Sequence, residues 1–349
     1  SVEECIGRRR ASAARDKAIR CAVVNRSVLT GLVLAILSAA AFGTSGSLAK
    51  GLLEAGWSPA AAVTWRVCIG AVALFVPGAL AMRGRWHLLR RGWVRIVAFG
   101  LVAVAGCQLA YFLAVERLPV AIALLLEYFG VILVVLWLWL RRGQRPRSLT
   151  LAGTAVALAG VVLVLDVFGV VQVDLIGVMW ALLAATGLAG YFLISADDTT
   201  GLPPLALASG GLFVAGVVLL VAGAVGIVPV AWAPVTIEMA GLSVPWWLQV
   251  AILGLYAAAF AYASGIMANR RLGSKLGSFI GLSEVLFAVL WAWLLLGEMP
   301  AVIQLVGGAA ILAGVVLIKI DEDRKQLTPR ALPTKPGDPA SRPAAERAG

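Results

Sequence analysis

The sequence has little charge and an excess of apolar residues. Of its 349 residues, 13% are charged and 61% belong to the hydrophobic set, with a mean hydropathy of +0.95. Soluble domains have about 25% charged and about 45–50% apolar residues. The chain therefore has too few polar side chains to cover a water-soluble body of its size. This composition excludes soluble enzymes, DNA-binding domains and disulfide-rich secreted modules, and it predicts an integral membrane protein.

The sequence also lacks the patterns of metal, redox and nucleotide chemistry. Its four cysteines show no C-x-x-C spacing, and the one histidine, His87, cannot build a metal centre. No G-x-x-x-x-G-K-[ST] loop is present, so ATP is not expected to drive the protein directly. We expect no cofactor, no metal site and no catalytic residue, and we do not expect an enzyme.

Long apolar runs predict an all-α membrane protein with ten transmembrane helices. A bilayer core about 30 Å thick needs about 20 apolar residues per helix, because lipid offers no partners to unpaired backbone groups. The segments of that length are residues 28–49, 59–82, 93–115, 119–140, 148–167, 174–196, 205–227, 246–268, 275–296 and 301–319. They form two halves, 28–167 and 174–320. A basic N-terminal segment (1–27) precedes them, and a tail (321–349) predicted to be disordered follows.

The distribution of lysine and arginine predicts the orientation. If the N-terminus is cytoplasmic, the cytoplasmic segments hold 26 of the 29 basic residues. The positive-inside rule therefore places both ends in the cytoplasm, in the plasma (inner) membrane. The net charge of +11 is then a topology signal, so we expect no nucleic-acid partner. The expected partners are a small-molecule solute and membrane lipid, and homodimer formation is left open. One inner loop, 197–204, carries Asp197 and Asp198 instead of basic residues.

The chain matches itself at an offset of 154 residues. Residues 134–165 and 288–319 share 16 identities in 32 positions without a gap. Apolar bias does not account for the matches, because they include Trp137, Trp139, Gly143 and Pro146, which recur at 291, 293, 297 and 300. This repetition predicts two copies of one five-helix module.

The two modules are expected to be inverted relative to each other. Each crosses the membrane five times, an odd number, so the second module starts on the opposite side. Four arginines between residues 141 and 147 align with uncharged residues of the second module, which agrees with loops on opposite sides. Inverted repeats of this kind are typical of secondary transporters with a binding site near the middle of the bilayer.

Together these features resemble the drug/metabolite transporter superfamily, EamA type, over about residues 28–320. The residues that carry the resemblance are Phe42-Gly-Thr-Ser-Gly46 with Lys50, Pro59 with Arg66, Ser283-Glu-Val-Leu-Phe-Ala288, Leu294-Leu-Leu-Gly-Glu298 and Ala313-Gly-Val-Val-Leu317. The chain departs from the family pattern at Val285, where a proline commonly follows the glutamate. A second departure is Gln144, where the second repeat has Glu298.

The stretch Leu126-Glu-Tyr-Phe-Gly130 is similar to one in threonine/homoserine exporters, although Val131 replaces a proline. These resemblances imply a secondary-active transporter that works by alternating access. They favour export of small metabolites, such as amino acids or drug-like compounds, and do not fix the substrate.

Two carboxyl groups are the leading candidates for function. An ionisable residue at mid-helix costs about 2.5–3.5 kcal/mol on insertion scales, so each one needs a reason. At 1.5 Å per residue, Glu127 lies about 12 Å from Pro119 and Glu284 about 14 Å from Lys275, both near mid-depth. We interpret both as substrate-binding and proton-coupling residues. The alternative is that they are neutral acids that fix helix packing.

Other polar residues inside the spans are weaker candidates for substrate contact. Tyr256 lies at similar depth, and Tyr128 adjoins Glu127. Gln108 and Tyr111 are about one turn apart and share a helix face. Ser45 and Tyr191 occupy near-equivalent positions in the twin spans, where close helix packing is the favoured interpretation. Arg66 is a candidate for a substrate carboxylate or for pairing with a glutamate, although snorkelling to the outer headgroups is favoured.

Two other classes of protein stay open on the sequence alone. A membrane-embedded lipid-modifying enzyme would need clustered acidic, histidine or metal-binding groups, and outside the polar ends the one adjacent acidic pair is Asp197-Asp198. A non-transporting receptor or scaffold would require neither mid-depth carboxylates nor an inverted repeat.

Overall fold

A computed structural model describes residues 2–118, 120–143, 147–164, 174–239, 241–296 and 302–327. This part of the chain is helical apart from one hairpin. The first-repeat helices are α1 (Val2–Glu54), α2 (Pro59–Ala81), α3 (His87–Ala98), α4 (Cys107–Arg117), α5 (Val120–Glu127), α6 (Phe129–Arg142) and α7 (Ser148–Val164). The second-repeat elements are α8 (Leu175–Ala196), α9 (Pro204–Ala224), β1 (Thr236–Met239), β2 (Leu242–Pro245), α10 (Trp246–Gly254), α11 (Ala261–Gly281), α12 (Ser283–Leu296) and α13 (Val302–Leu327).

Six of the described helical segments are long and apolar enough to cross a membrane, and four apolar helices are shorter. The mostly helical membrane fold is therefore as predicted, while the count of ten crossing helices stays a prediction. Two of the shorter helices, α6 and α12, are the second parts of predicted spans that are broken in the middle. Helix α13 runs to Leu327, past the predicted start of the tail, and residues 328–349 lie outside the described part.

The breaks and distortions of the helices follow the internal repeat. Helix α3 continues into α4 through a π-helical segment, Phe99–Gly106, and α10 continues into α11 through a second one, Leu255–Phe260. At the offset of 154, residues 101–106 correspond to this second segment. The α5–α6 break at Tyr128 likewise corresponds to the α11–α12 break at Leu282. The duplicated sequence thus encodes duplicated irregularities in the helices.

The reversal before the ninth predicted span depends on one glycine inside α11. Gly273 has φ 79°, a left-handed conformation that glycine adopts without a steric penalty. Residues 274–281 therefore belong with α12 rather than with the preceding helix. The short antiparallel hairpin β1–β2 was not predicted, and it pairs Ile237 with Val244 in the connection between α9 and α10.

Glycines bring α7 and α13 into close contact. A Cβ atom on Gly160 would lie 2.6 Å from the carbonyl oxygen of Gly307, and one on Gly153 would lie 2.9 Å from that of Gly314. At the repeat offset, position 153 corresponds to 307 and position 160 to 314. The two-fold axis that relates the repeats therefore converts the contact between 160 and 307 into the contact between 314 and 153. The pairing runs in opposite directions along the chain, and these twin helices are therefore antiparallel. Small residues at such a contact allow backbones to approach closely inside a membrane.

Replacing Gly160 by leucine should destabilise this contact. The larger side chain has no space against Gly307, and overpacking costs about 1–3 kcal/mol. The matched control is Ala159→Leu, on the exposed side of the same helix. Thermal unfolding of the purified proteins in detergent should show a lower midpoint for Gly160→Leu only. Equal midpoints for the two variants would contradict the close contact.

Candidate functional site

Contacts distinguish the two ends of the helical bundle. At one end, which we name the outer end, the backbone N–H of Ser58 donates to the carbonyl of Ala231 at 2.9 Å, next to the β1–β2 hairpin. At the opposite end, the inner end, Arg95 contacts Asp197 at 2.8 Å. These names follow the predicted orientation, in which the inner end faces the cytoplasm.

Two adjoining cavities lie between the ends. The inner chamber has an empty volume of about 580 Å³ and extends towards Asn269 and Gly277, and the outer chamber has about 760 Å³ and extends towards Lys50. The residues that line both chambers are Phe42, Gln108, Glu127 and Glu284. The chambers therefore meet at a polar junction that contains both of the predicted mid-depth glutamates.

Helix ends position the two glutamates at this junction. Glu127 is the last residue of α5, directly before the break, and Glu284 is the second residue of α12, directly after the equivalent break. Glu127 is 9% exposed and accepts a weak hydrogen bond from the Cys107 thiol at 3.4 Å. The buried hydroxyl of Tyr128, which has no hydrogen-bond partner in the described part of the chain, lies close to Glu284.

A hydrogen bond between repeat-equivalent residues crosses the centre of the site. The Nε2 atom of Gln108 donates to the hydroxyl of Tyr262 at 3.2 Å, and 262 is 108 plus the offset of 154. The tyrosine hydroxyl in turn donates to the carbonyl of Ala103 at 3.3 Å. Residues related by a two-fold axis touch one another only near that axis. This bond therefore marks the middle of the molecule, where the two repeats face each other.

Arg66 lies in the same centre, and the expectation that it snorkels to the outer headgroups is wrong. Its side chain is 1% exposed, and it donates to Gln108 Oε1 at 2.5 Å and to the carbonyl of Ala257 at 2.6 Å. These partners come from opposite repeats. Snorkelling is favourable when the side chain has no polar partner inside the protein. Arg66 has two such partners, the Gln108 amide oxygen and the Ala257 carbonyl.

The other candidates separate into those that line a chamber and those that do not. Ser45 and Tyr111 line the outer chamber together with Gln108, and Tyr191 lines the inner one. Tyr256 is not among the residues that line either chamber, and its ring instead stacks on Phe260 at 5.7 Å. The structure therefore does not bring Tyr256 to the glutamates.

Sequence reasoning missed Tyr262 and Phe42, whose rings pack edge to face at 5.0 Å in the wall of the inner chamber. A signal for Tyr262 was available, because it occupies the position equivalent to Gln108 in the second repeat. Phe42 belongs to the glycine-rich stretch of the first span, where nothing in the sequence distinguishes packing from a role in the chamber wall.

A group of ion pairs, the inner cluster, holds the inner ends of three helices together. Arg95 at the end of α3 contacts Asp197 and Thr199, and Arg270 of α11 contacts Asp198. Arg270 Nε also donates to the carbonyl of Ser195 at 2.7 Å. The acidic loop that departed from the basic pattern of the inner side is therefore a binding partner for two arginines.

The outer end has an uncharged counterpart of this contact. Gln249 is equivalent to Arg95 at the repeat offset, and it donates to the carbonyl of Leu48 near the end of α1 at 2.5 Å. Arg95 contacts the residue after α8, the twin of α1. Repeat-equivalent residues thus reach towards twin helices at both ends of the bundle, through an ion pair at the inner end and a neutral hydrogen bond at the outer end.

Breaking the inner cluster should open the inner chamber. We expect Asp197→Asn to make Cys107, which lines that chamber, react several-fold faster with a small water-soluble maleimide, because the ion pair to Arg95 is weakened. The measurement uses protein in which Cys5, Cys21 and Cys68 are replaced by alanine. The control is Arg117→Gln, which removes an exposed ion pair with Asp174 elsewhere. Equal labelling rates would show that the inner cluster does not limit access.

Comparisons with known proteins agree with this architecture. The model of the EamA-like transporter family matches residues 29–166 and again residues 175–320. The chain is 27% identical over 304 residues to a Bacillus subtilis (strain 168) protein named "Uncharacterized transporter YwfM", covering 85% of this chain and 96% of that protein. A protein of known crystal structure has the same fold, with a TM-score of 0.68 at 22% identity over 86% of this chain and 99% of its own. Because the family model covers both repeats, the chain belongs to the EamA-like transporter family.

Proposed function

We propose that this membrane transporter is a secondary-active exporter of small metabolites, such as amino acids or drug-like compounds, that works by alternating access and is coupled to protons. In this proposal it lies in the plasma (inner) membrane with both ends in the cytoplasm. The observation that carries the proposal is that Glu127 and Glu284 line both the inner and the outer chamber. A solute bound to them is in contact with both chambers.

The lining of the inner chamber favours a solute with an ammonium group and an apolar body. The two glutamates supply negative charge, and Phe42, Tyr191 and Tyr262 supply aromatic faces. Cations are attracted to such faces by about 0.5–2 kcal/mol. The described lining of this chamber contains no lysine or arginine to oppose the positive charge.

Proton coupling is proposed because the same carboxyl groups can hold either a proton or the solute. A protonated carboxyl group gives up its proton when it binds an ammonium group as a carboxylate, and protonation of the carboxylate releases the solute. One site then binds two competing cations, which is the simplest form of antiport. Glu127 and Glu284 are the groups available for this exchange at the junction.

Substitution by glutamine tests the coupling. In proteoliposomes with an imposed pH gradient, Glu127→Gln and Glu284→Gln should each reduce proton-driven accumulation of amino acids at least about tenfold, because each removes one carboxyl group that can bind and release a proton. A tenfold effect corresponds to about 1.4 kcal/mol. Exchange without a gradient should persist in at least one of the two variants. The control is Glu116→Gln, an exposed carboxylate on α4. Unchanged dependence on pH in both junction variants would exclude them as the coupling groups.

Flux itself separates the proposal from the two rival classes. Sealed vesicles that contain the purified protein should move a labelled solute and saturate with its concentration. A lipid-modifying enzyme would change the lipid of those vesicles instead, and a receptor or scaffold would do neither. Absence of flux for amino acids, amines and cationic drugs would contradict the proposed function.

A further inference from the structure

The outer chamber contains a buried cation, Arg66, that makes no direct ion pair in the described part of the chain, although Glu127 and Glu284 line the same chamber. Arg66 is fully buried and lines this chamber, and both of its hydrogen-bond partners, the Gln108 amide and the Ala257 carbonyl, are uncharged. In the described part of the chain no carboxylate lies within ion-pair distance of its guanidinium group. A charge in the middle of a bilayer normally has a counter-charge or a water-filled cavity.

Two buried polar atoms beside this chamber have no hydrogen-bond partner among the described residues. They are Arg66 Nε and Ser45 Oγ, and both residues belong to the chamber lining. A buried donor without an acceptor is rare and destabilising in native proteins. Both atoms are hydrogen-bond donors, one of them charged, and a carboxylate accepts hydrogen bonds on both of its oxygens.

We propose that Arg66 and Ser45 form a carboxylate subsite for the transported solute. This inference rests on the proposed function, and it makes Arg66 and Ser45 the residues that select solutes with a carboxylate. The bond to arginine includes Nε, the one guanidinium nitrogen without an acceptor in the described part of the chain, since Nη1 and Nη2 each already donate to a protein acceptor. A charge-assisted hydrogen bond of this kind is stronger than one between neutral groups.

The subsite belongs to the outer chamber alone, whereas the glutamates belong to both chambers. Arg66 and Ser45 line the outer chamber and are not among the residues that line the inner one. A zwitterionic solute can therefore place its ammonium group on Glu127 or Glu284 and its carboxylate on Arg66 only from the outer chamber. An amine that lacks the carboxylate can bind to the same glutamates from either chamber, but it cannot bind to Arg66 in this way.

Matched solutes test the subsite. The probes are the twenty common amino acids, each compared with the amine that has the same side chain and lacks the carboxylate, in thermal-stabilisation and vesicle-exchange measurements on the full-length protein. The amino acid that stabilises the wild-type protein most should bind at least about tenfold more tightly than its amine, and half-saturation of exchange should follow the same order.

Two substitutions then assign that preference to the proposed residues. Ser45→Ala should weaken binding of the amino acid about three- to tenfold and leave binding of the amine within about twofold. The Ser45 hydroxyl makes no hydrogen bond within the described part of the chain, so its loss should not disturb the protein itself. Arg66→Gln should remove the preference for the carboxylate altogether. The controls are Ser264→Ala, a buried serine that bonds to Phe260 and lines neither chamber, and Arg85→Gln in an exposed loop. Both controls should retain the preference.

The outcomes distinguish the subsite from a merely structural arginine. If Arg66 only joins helices, Arg66→Gln will lower the unfolding midpoint and weaken amino acid and amine alike, and Ser45→Ala will change neither; that result overturns the subsite. If the wild-type protein binds and moves amines as well as their amino acids, the carboxylate subsite is wrong while transport stands. If it moves none of the probes, the proposed function is wrong for these solutes and the subsite is wrong with it.

Discussion

The burial of Arg66 is the constraint on which the centre of the molecule depends. A guanidinium group that is 1% exposed needs hydrogen-bond acceptors from the protein. The protein provides them with one side chain from the first repeat, Gln108, and one backbone carbonyl from the second, Ala257. The carbonyl belongs to a π-helical segment, where the altered hydrogen-bond pattern of the helix leaves room for a side-chain donor. The charge therefore connects the two repeats at the axis that relates them.

The two repeats provide a symmetric scaffold for a chemically asymmetric site. The paired π segments, the paired helix breaks and the bond between Gln108 and Tyr262 all follow the two-fold axis. The carboxyl groups do not, because Glu127 is equivalent to Gly281 and Glu284 to Gly130. Both glycines are in tight contact, with Cβ positions that would lie 2.8 Å from the Phe192 ring and 2.6 Å from the Ala185 carbonyl. Close packing at these positions leaves no space for a second pair of acids, so the junction holds two carboxyl groups rather than four.

Residue counting along the helices grouped some of the polar residues that the structure brings together and misplaced others. It placed Glu127 and Glu284 near mid-depth, and the structure brings both to one junction. It failed for Tyr256, which lies inside a π-helical segment, because such a segment changes the number of residues per turn and rotates every later side chain. It also misjudged Arg66, since its partners lie on other helices and come close only through tertiary packing. The repeat could be recognised from the sequence because tryptophan, glycine and proline recur at one spacing. The hairpin could not be predicted in this way, because the equivalent connection between α2 and α3 contains no strand.

The repeat-equivalent residues Arg95 and Gln249 make contacts of different chemistry at the two ends of the bundle. The outer contact is a hydrogen bond that the side-chain amide of the fully buried Gln249 donates to a backbone carbonyl. The inner one consists of ion pairs, in which Asp198 is 73% exposed and Asp197 is 25% exposed. Exposed ion pairs contribute about 0–1 kcal/mol each and weaken as salt screens them. A buried hydrogen bond between neutral groups has no such dependence on ionic strength. The contacts at the inner end are therefore the ones whose strength depends on the ionic strength of the solution beside them.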